Sequence, residues 1–187
     1  MASQRGRMLD AMADAVAEKG YAATTVADVI GRAGVSRKTF YEQFRDKEDC
    51  FLAAYDVGVE LLLGALREAA SEESDLLEQA RLRTRAYLET LASEPAFART
   101  FMIEVAAAGP AARERRDAVH ERFADLLREQ VEAAGLPPQP AEIYLAAVGA
   151  TDLLVSREVA CGRTAELPQL TELVLQVQLS LLAGIRL

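Results

Sequence analysis

The four residues Ala33-Gly34-Val35-Ser36 constrain this chain more than any others. Before them, Val26, Val29, Ile30 and Ala33 recur at spacings of three and four, which is one face of a helix. Gly34 takes the left-handed conformation without a steric penalty, so that helix can stop there. Val35 is expected to be a buried anchor in the turn. Ser36 is a good N-cap for a second helix, because its hydroxyl accepts from an amide left unpaired in the first turn. On that second helix Phe40 and Phe44 share one face, while Arg37, Lys38 and Tyr41 share another. Thr25–Phe44 therefore reads as helix, tight turn, helix. It has an aromatic face to bury and a cationic, hydroxyl-bearing face to present, as a helix that reads DNA requires.

The flanks extend this unit. Leu9, Met12, Ala13, Val16 and Ala17 predict an amphipathic helix from Arg7 that ends at Gly20, with residues 1–6 frayed and Tyr21 packed under the turn. Thr25 and Asp28 stand at the spacing of a capping box, where a carboxylate also suits the helix dipole. Three helices in roughly 45 residues are too few to be stable alone, so the unit should lean on the next helix in the chain. That helix is long, capped by Asp46 and beginning near Lys47, and it is striped by Phe51, Tyr55, Val59, Leu62 and Leu66. So short a join means that rotating this helix moves the first three.

The remainder is also helical. After a polar break at Ser71–Ser74, apolar periodicity predicts a helix from Leu76 to about Ala92. Pro95 opens a helix that ends at Gly109, and Pro110 opens another that ends at Gly135. Leu136–Pro140 is a loop. Ala141–Ala160 is a helix rich in small residues, Gly162–Pro168 a turn region, and Leu170–Leu182 a last apolar helix. No strand pattern and no internal repeat is present. The fold class is all-α, with about nine helices.

Net charge is −8 over 187 residues, which as an average argues against nucleic acid. The average hides a division. Residues 1–50 carry eight cations and eight acids, so the rest carries the whole excess and should face away from any DNA. Two cysteines, Cys50 and Cys161, lack metal-ligand spacing and read as reduced thiols. No apolar run of membrane-spanning length and no signal peptide is evident, so a cytoplasmic protein is expected.

Gly20–Tyr55, GYAATTVADVIGRAGVSRKTFYEQFRDKEDCFLAAY, resembles the DNA-binding segment of the TetR family of bacterial transcriptional regulators. The matching elements are Thr24-Thr25-Val26, Ala33-Gly34-Val35-Ser36, Thr39-Phe40-Tyr41, Phe44 and Lys47-Glu48, all in register. The resemblance covers about a third of the chain; the helices beyond it agree in number and order with the family's body. It implies an N-terminal helix-turn-helix DNA-binding domain, residues 1–46, joined to a helical ligand-binding and dimerisation domain, residues 47–187. It implies a homodimer on a palindromic operator of double-stranded DNA, usually a repressor, released by a small-molecule effector. Carried over by position, Thr25, Ser36, Arg37, Lys38, Thr39, Tyr41 and Lys47 are the expected DNA contacts. Arg37, Lys38 and Thr39 would reach base edges or nearby phosphates, and Tyr41, Thr25 and Lys47 phosphates. Arg5 and Arg7 are either an arm on DNA or a solvated tail.

For the effector, the family's apolar cavity implies a lining drawn from Tyr87, Phe97, Phe101, Met102, Val105, His120, Phe123, Tyr144 and Asp152, with Glu104 as a further polar candidate. Phe97, Phe101, Met102, Val105, Phe123 and Tyr144 read most simply as core, and His120 as a polar pocket residue or a plain surface residue. No cofactor and no metal is expected, because His120 is the single histidine and has no ligand partners in sequence. No phosphate loop, nucleophile elbow or metal-spaced cluster marks an enzyme. The dimer is expected through the helices near Ala141–Ala160 and Leu170–Leu182. A ligand-blind or activating regulator, or a helical protein–protein adaptor, stands as the alternative.

Overall fold

The computed structural model describes residues 3–70, 73 and 75–182. All its regular structure is helical: α1 Gln4–Ala23, α2 Val26–Ala33, α3 Arg37–Gln43, α4 Lys47–Glu68, α5 Leu76–Ser93, α6 Pro95–Arg99, α7 Val105–Ala107, α8 Pro110–Ala133, α9 Ala141–Ala160 and α10 Thr171–Leu182. A π-helical stretch, Thr100–Glu104, joins α6 to α7, so the ten segments form nine rods among the described residues. In that stretch the Val105 amide donates to the Thr100 carbonyl five residues back.

The helix boundaries follow local chemistry. Thr25 and Asp28 cap α2 reciprocally, Ser36 accepts from the Thr39 amide to start α3, and Asp46 accepts from the Asp49 amide to start α4. Gly34 ends α2 at φ 62°, ψ 41°. Three expectations shift. Ser3 caps α1 through the Gly6 amide, so the chain is helical from Gln4 rather than frayed to residue 6. Gly20 does not end α1 but kinks it at φ 79°, and one more turn runs to Ala23. The turn expected at Gly162–Pro168 is instead a 3-10 helix, Thr164–Leu170. The polar break at Ser71–Ser74 lies largely outside the described residues.

One core runs through both ends of the molecule. Met8, Met12, Val16, Val29, Phe40 and Phe44 of the first three helices and their flanks join Phe51, Tyr55, Val59 and Leu62 of α4, and then Leu88, Met102, Val105 and Val155. The three-helix unit thus leans on the body as its size requires. Val35 is half-buried against this core, and Tyr21 meets Phe51 edge-on at 4.8 Å. α4 is fastened to α8 by Arg122–Glu60 at 2.7 Å and by Arg115–Asp56, and it approaches α6 so closely that a Cβ at Gly58 would lie 2.0 Å from the Phe97 ring. Among the described residues no helix is long and apolar enough to cross a membrane, and no group of His, Cys, Asp and Glu is placed to hold a metal. Cys50 is buried, its thiol pushed up to about 12 by burial, and Cys161 is exposed.

Candidate nucleic-acid interface and effector recess

The reading face is built on α3. Phe40 is fully buried and packs on Phe44 at 5.5 Å, which orients the short helix. The opposite side is left to solvent: Arg37, Lys38 and Tyr41 are exposed, with Tyr41 half out of the protein. Arg37 lies over the Tyr41 ring at 6.0 Å, and Lys38 is 3.9 Å from Glu42, an exposed pair of little energetic weight. These groups are free to turn outward. Ser36 and Thr25 are exposed but already committed as N-caps, and Thr39 shares a hydrogen bond with Ser36 at 2.9 Å.

Lys47 is placed differently from the rest. Its ammonium donates to the Tyr21 carbonyl at 2.8 Å and sits 4.1 Å over the Tyr21 ring. Burial lowers its pKa. In this state it closes the kink at Gly20. The two N-terminal arginines are likewise occupied. Arg7 Nε donates to the Ala33 carbonyl at the end of α2, and Arg5 stacks over Phe44 at 5.1 Å. Neither side chain hangs free as a tail.

The joint between reading unit and body centres on Glu104, which is buried. Its carboxylate accepts from the Tyr21 amide at 2.9 Å and pairs with Arg99 at 3.1 Å. Tyr21 is therefore held at both backbone atoms, by Glu104 at its N–H and Lys47 at its carbonyl. The left-handed Gly20 makes room, since a Cβ there would come 3.3 Å from a Glu104 oxygen. Sequence reasoning placed Glu104 near an effector; it turns to the joint instead. Its partner lies 83 residues away, so no local pattern announces it.

A recess opens between α5, α8, α9 and α10. It is lined by Leu66, Arg83, Thr84, Tyr87, Phe101, His120, Phe123, Leu126, Val148, Thr151, Asp152 and Gln178, among others. Tyr87, Phe101, His120, Phe123 and Asp152 of the expected lining are brought together there. Phe97, Met102, Val105 and Tyr144 are not. Phe97 packs toward Gly58, Met102 lies under the Tyr87 hydroxyl, and Val105 is core. Tyr144 joins Val131 and Leu182 in a small separate cluster, its hydroxyl accepting from the Gln139 amide. Four periodic apolar residues look alike in sequence whether they face a cavity or a neighbouring helix. Counted to its mouth the recess has about 680 Å³ of empty space, but the centre of a water molecule can reach only about 70 Å³. An engineered cavity of about 150 Å³ holds one benzene, so a larger apolar ligand must part these walls. At the polar edge, Asp152 holds Arg116 at 2.5 Å and lies 3.5 Å from His120.

Residues 8–54 match the profile of bacterial regulatory proteins of the tetR family. The HTH-type transcriptional activator FasR of Mycolicibacterium smegmatis is 28% identical over 86 residues, which are 46% of this chain and 39% of FasR. The chain thus spans well under half the length of that relative. Solved structures share the whole fold. The fatty acid degradation regulator FadR from Bacillus halodurans has a TM-score of 0.85 at 22% identity, covering 100% of this chain and 98% of its own. FadR from Bacillus subtilis, solved in complex with stearoyl-CoA, has 0.80 at 20%, covering 96% and 98%. A putative TetR-family regulator from Syntrophomonas wolfei has 0.81 at 20%, covering 98% and 97%. The family profile lies on the helix-turn-helix, residues 8–54, and the described helical body shares the fold of solved regulators of this kind.

Proposed function

We propose that this protein is a homodimeric repressor that leaves a palindromic operator when an apolar ligand enters the recess. Residues 1–46 read DNA, and residues 47–187 sense and dimerise. Arg37, Lys38, Thr39 and Tyr41 approach bases and phosphates, with Thr25 and Ser36 at helix N-termini beside them. The observation that carries this reading is the joint. Phe101 lines the recess and Glu104, three residues on, grips Tyr21. Widening the recess therefore displaces the group that holds the reading unit. A ligand shifts DNA affinity only if it prefers one of two states, and a recess too small for its occupant supplies that preference. The likeness to FadR structures, one of them solved in complex with stearoyl-CoA, supports a fatty-acyl compound as the ligand class. As a DNA-binding regulator it acts in the cytoplasm.

The test is selection of bound fragments from genomic DNA by the purified protein, followed by titration with stearoyl-CoA. An enriched palindrome, lost at rising stearoyl-CoA, is expected. Lys38→Ala should weaken binding and reduce the slope of log affinity against log salt by about one. A selection with no enriched palindrome sinks the reading. Activation is the second reading, favoured by the likeness to a relative named as an activator. Transcript levels in a deletion strain separate the two: flanking genes rise if it represses and fall if it activates.

A further inference from the structure

Lys47 opens α4 where the resemblance places a phosphate contact, yet its charge faces inward. The ammonium donates to the Tyr21 carbonyl at 2.8 Å and lies 4.1 Å from the centre of the Tyr21 ring. Burial lowers its pKa, and the carbonyl and the ring face offset that loss of water. Lys38 differs: its side chain is 88% exposed and meets only Glu42, at 3.9 Å. The carbonyl that Lys47 holds also accepts from the Thr24 amide at 3.2 Å. Thr24 is buried, and its hydroxyl donates to the Gly20 carbonyl at 2.9 Å. The next residue, Thr25, is the N-cap of α2. A continuous set of polar contacts thus runs from the start of α4, through Tyr21 and Thr24, to the start of α2.

To reach a phosphate, Lys47 would have to leave both partners. The Tyr21 carbonyl would lose its charged donor, and the kink at Gly20, φ 79°, would lose its hold on α4. We propose that Lys47 is a positioning residue of the DNA-binding unit and not a DNA contact. It stays on the Tyr21 carbonyl and ring while duplex is bound, fixes the angle between α1 and α2, and so aims α3. Glu104 grips the N–H of the same Tyr21 at 2.9 Å from the rod that runs through α6 and α7. Lys47 and Glu104 therefore act on one residue from two elements, and removing either loosens the same kink. The proposal rests on α3 being the DNA-facing helix; repression, activation and the effector do not enter it.

The test compares Lys47→Met with Lys38→Ala in the full chain, on the fragments that the unsubstituted protein retains from sheared genomic DNA. Met keeps an apolar stem beside the Tyr21 ring and removes the donor and the charge. Lys47→Met should bind roughly ten-fold more weakly at every salt concentration, the worth of one charge-assisted hydrogen bond. Its slope of log affinity against log salt should match that of the unsubstituted protein, whereas Lys38→Ala loses about one. Active protein is counted by titration at saturating DNA, so a variant that merely unfolds loses stoichiometry and keeps its affinity. Joining Lys47→Met to Glu104→Met should weaken binding little beyond the stronger single effect, because both loosen one residue. Without DNA, amide exchange at Tyr21 and Thr24 should quicken roughly ten-fold in Lys47→Met while α8 and α9 keep their protection. A slope reduced by about one, unchanged affinity, additive losses with Glu104→Met, or unchanged exchange at both amides would overturn the proposal. Retention of no fragment by the unsubstituted protein, with exchange quickened in Lys47→Met, would count against α3 as the DNA-facing helix and not against the grip on Tyr21.

Discussion

Asp28 receives three donors at once: the Thr25 amide at 2.8 Å, the Thr25 hydroxyl at 2.6 Å and the Lys19 ammonium at 2.6 Å. The hydrogen bond from Lys19, then those from Thr25, hold its carboxyl well below the ordinary value of 3.8. A depressed native pKa contributes stability that is complete above the unfolded value and lost as pH falls through the native one. Asp28→Asn is therefore expected to lower the melting temperature most near neutral pH, and the gap to the unsubstituted protein should narrow below about pH 4. Thermal unfolding across that range checks it; a gap constant with pH argues that Asp28 acts only as a neutral cap. Thr25–Asp28 was legible because both partners lie within one turn. The grips on Tyr21 by Lys47 and Glu104 were not, since each partner comes from another rod.

At the scale of elements, the Phe97 ring of α6 lies against α4 at Gly58, where α4 has no side chain. With a Cβ 2.0 Å from Phe97, Gly58→Ala forces the ring or the helices to move, at a cost of about 1–3 kcal/mol. Phe97→Ala empties the space the new methyl needs. The double variant should then be more stable than the sum of the two single losses predicts, as urea unfolding of all four proteins would show. Strict additivity would mean that this contact had already relaxed elsewhere. Sequence periodicity located α1 to α5, α8 and α9 because stripe, cap and stop are all local signals. It took Gly162–Pro168 for a turn, since the 3-10 stretch Thr164–Leu170 around Pro168 has no stripe to read. It could not choose among Phe97, Met102, Val105 and Phe101 for the recess, because crossing geometry decides which of them faces a gap.

Across the whole molecule, α9 packs against α10 and each keeps large apolar residues outside. Leu153 is 69% exposed, Leu145 44%, Leu173 45% and Leu179 40%. An isolated exposed leucine is ordinary, but four on two adjacent helices fit a face that a second copy covers. Ala147, on the small-residue side of α9, is fully buried within its own chain, so charging it would report on folding rather than on association. Leu153→Glu and Leu179→Glu are the informative variants. Each is expected to give a folded monomer by sedimentation, with operator binding lost because two half-sites are no longer joined. Dimers that survive both would move the interface elsewhere. In the dimer the two copies of α3 should stand about 34–36 Å apart, one turn of duplex DNA.

The π-helical stretch at Thr100–Glu104 also bears on which changes of chain length this protein can survive. Its turn contains one residue more than an α-helical turn would use for the same connection. Removing a single residue between Thr100 and Ile103 can therefore be absorbed by closing the turn to α-helix, with Pro95–Arg99 and Val105–Ala107 keeping their faces. The same deletion inside α4 or α8, where there is no surplus, turns everything beyond it by about 100° and carries each stripe off the core. The rod that bears Phe101 and Glu104 is thus a place within a helix where a codon can be lost in frame without scrambling the packing on either side.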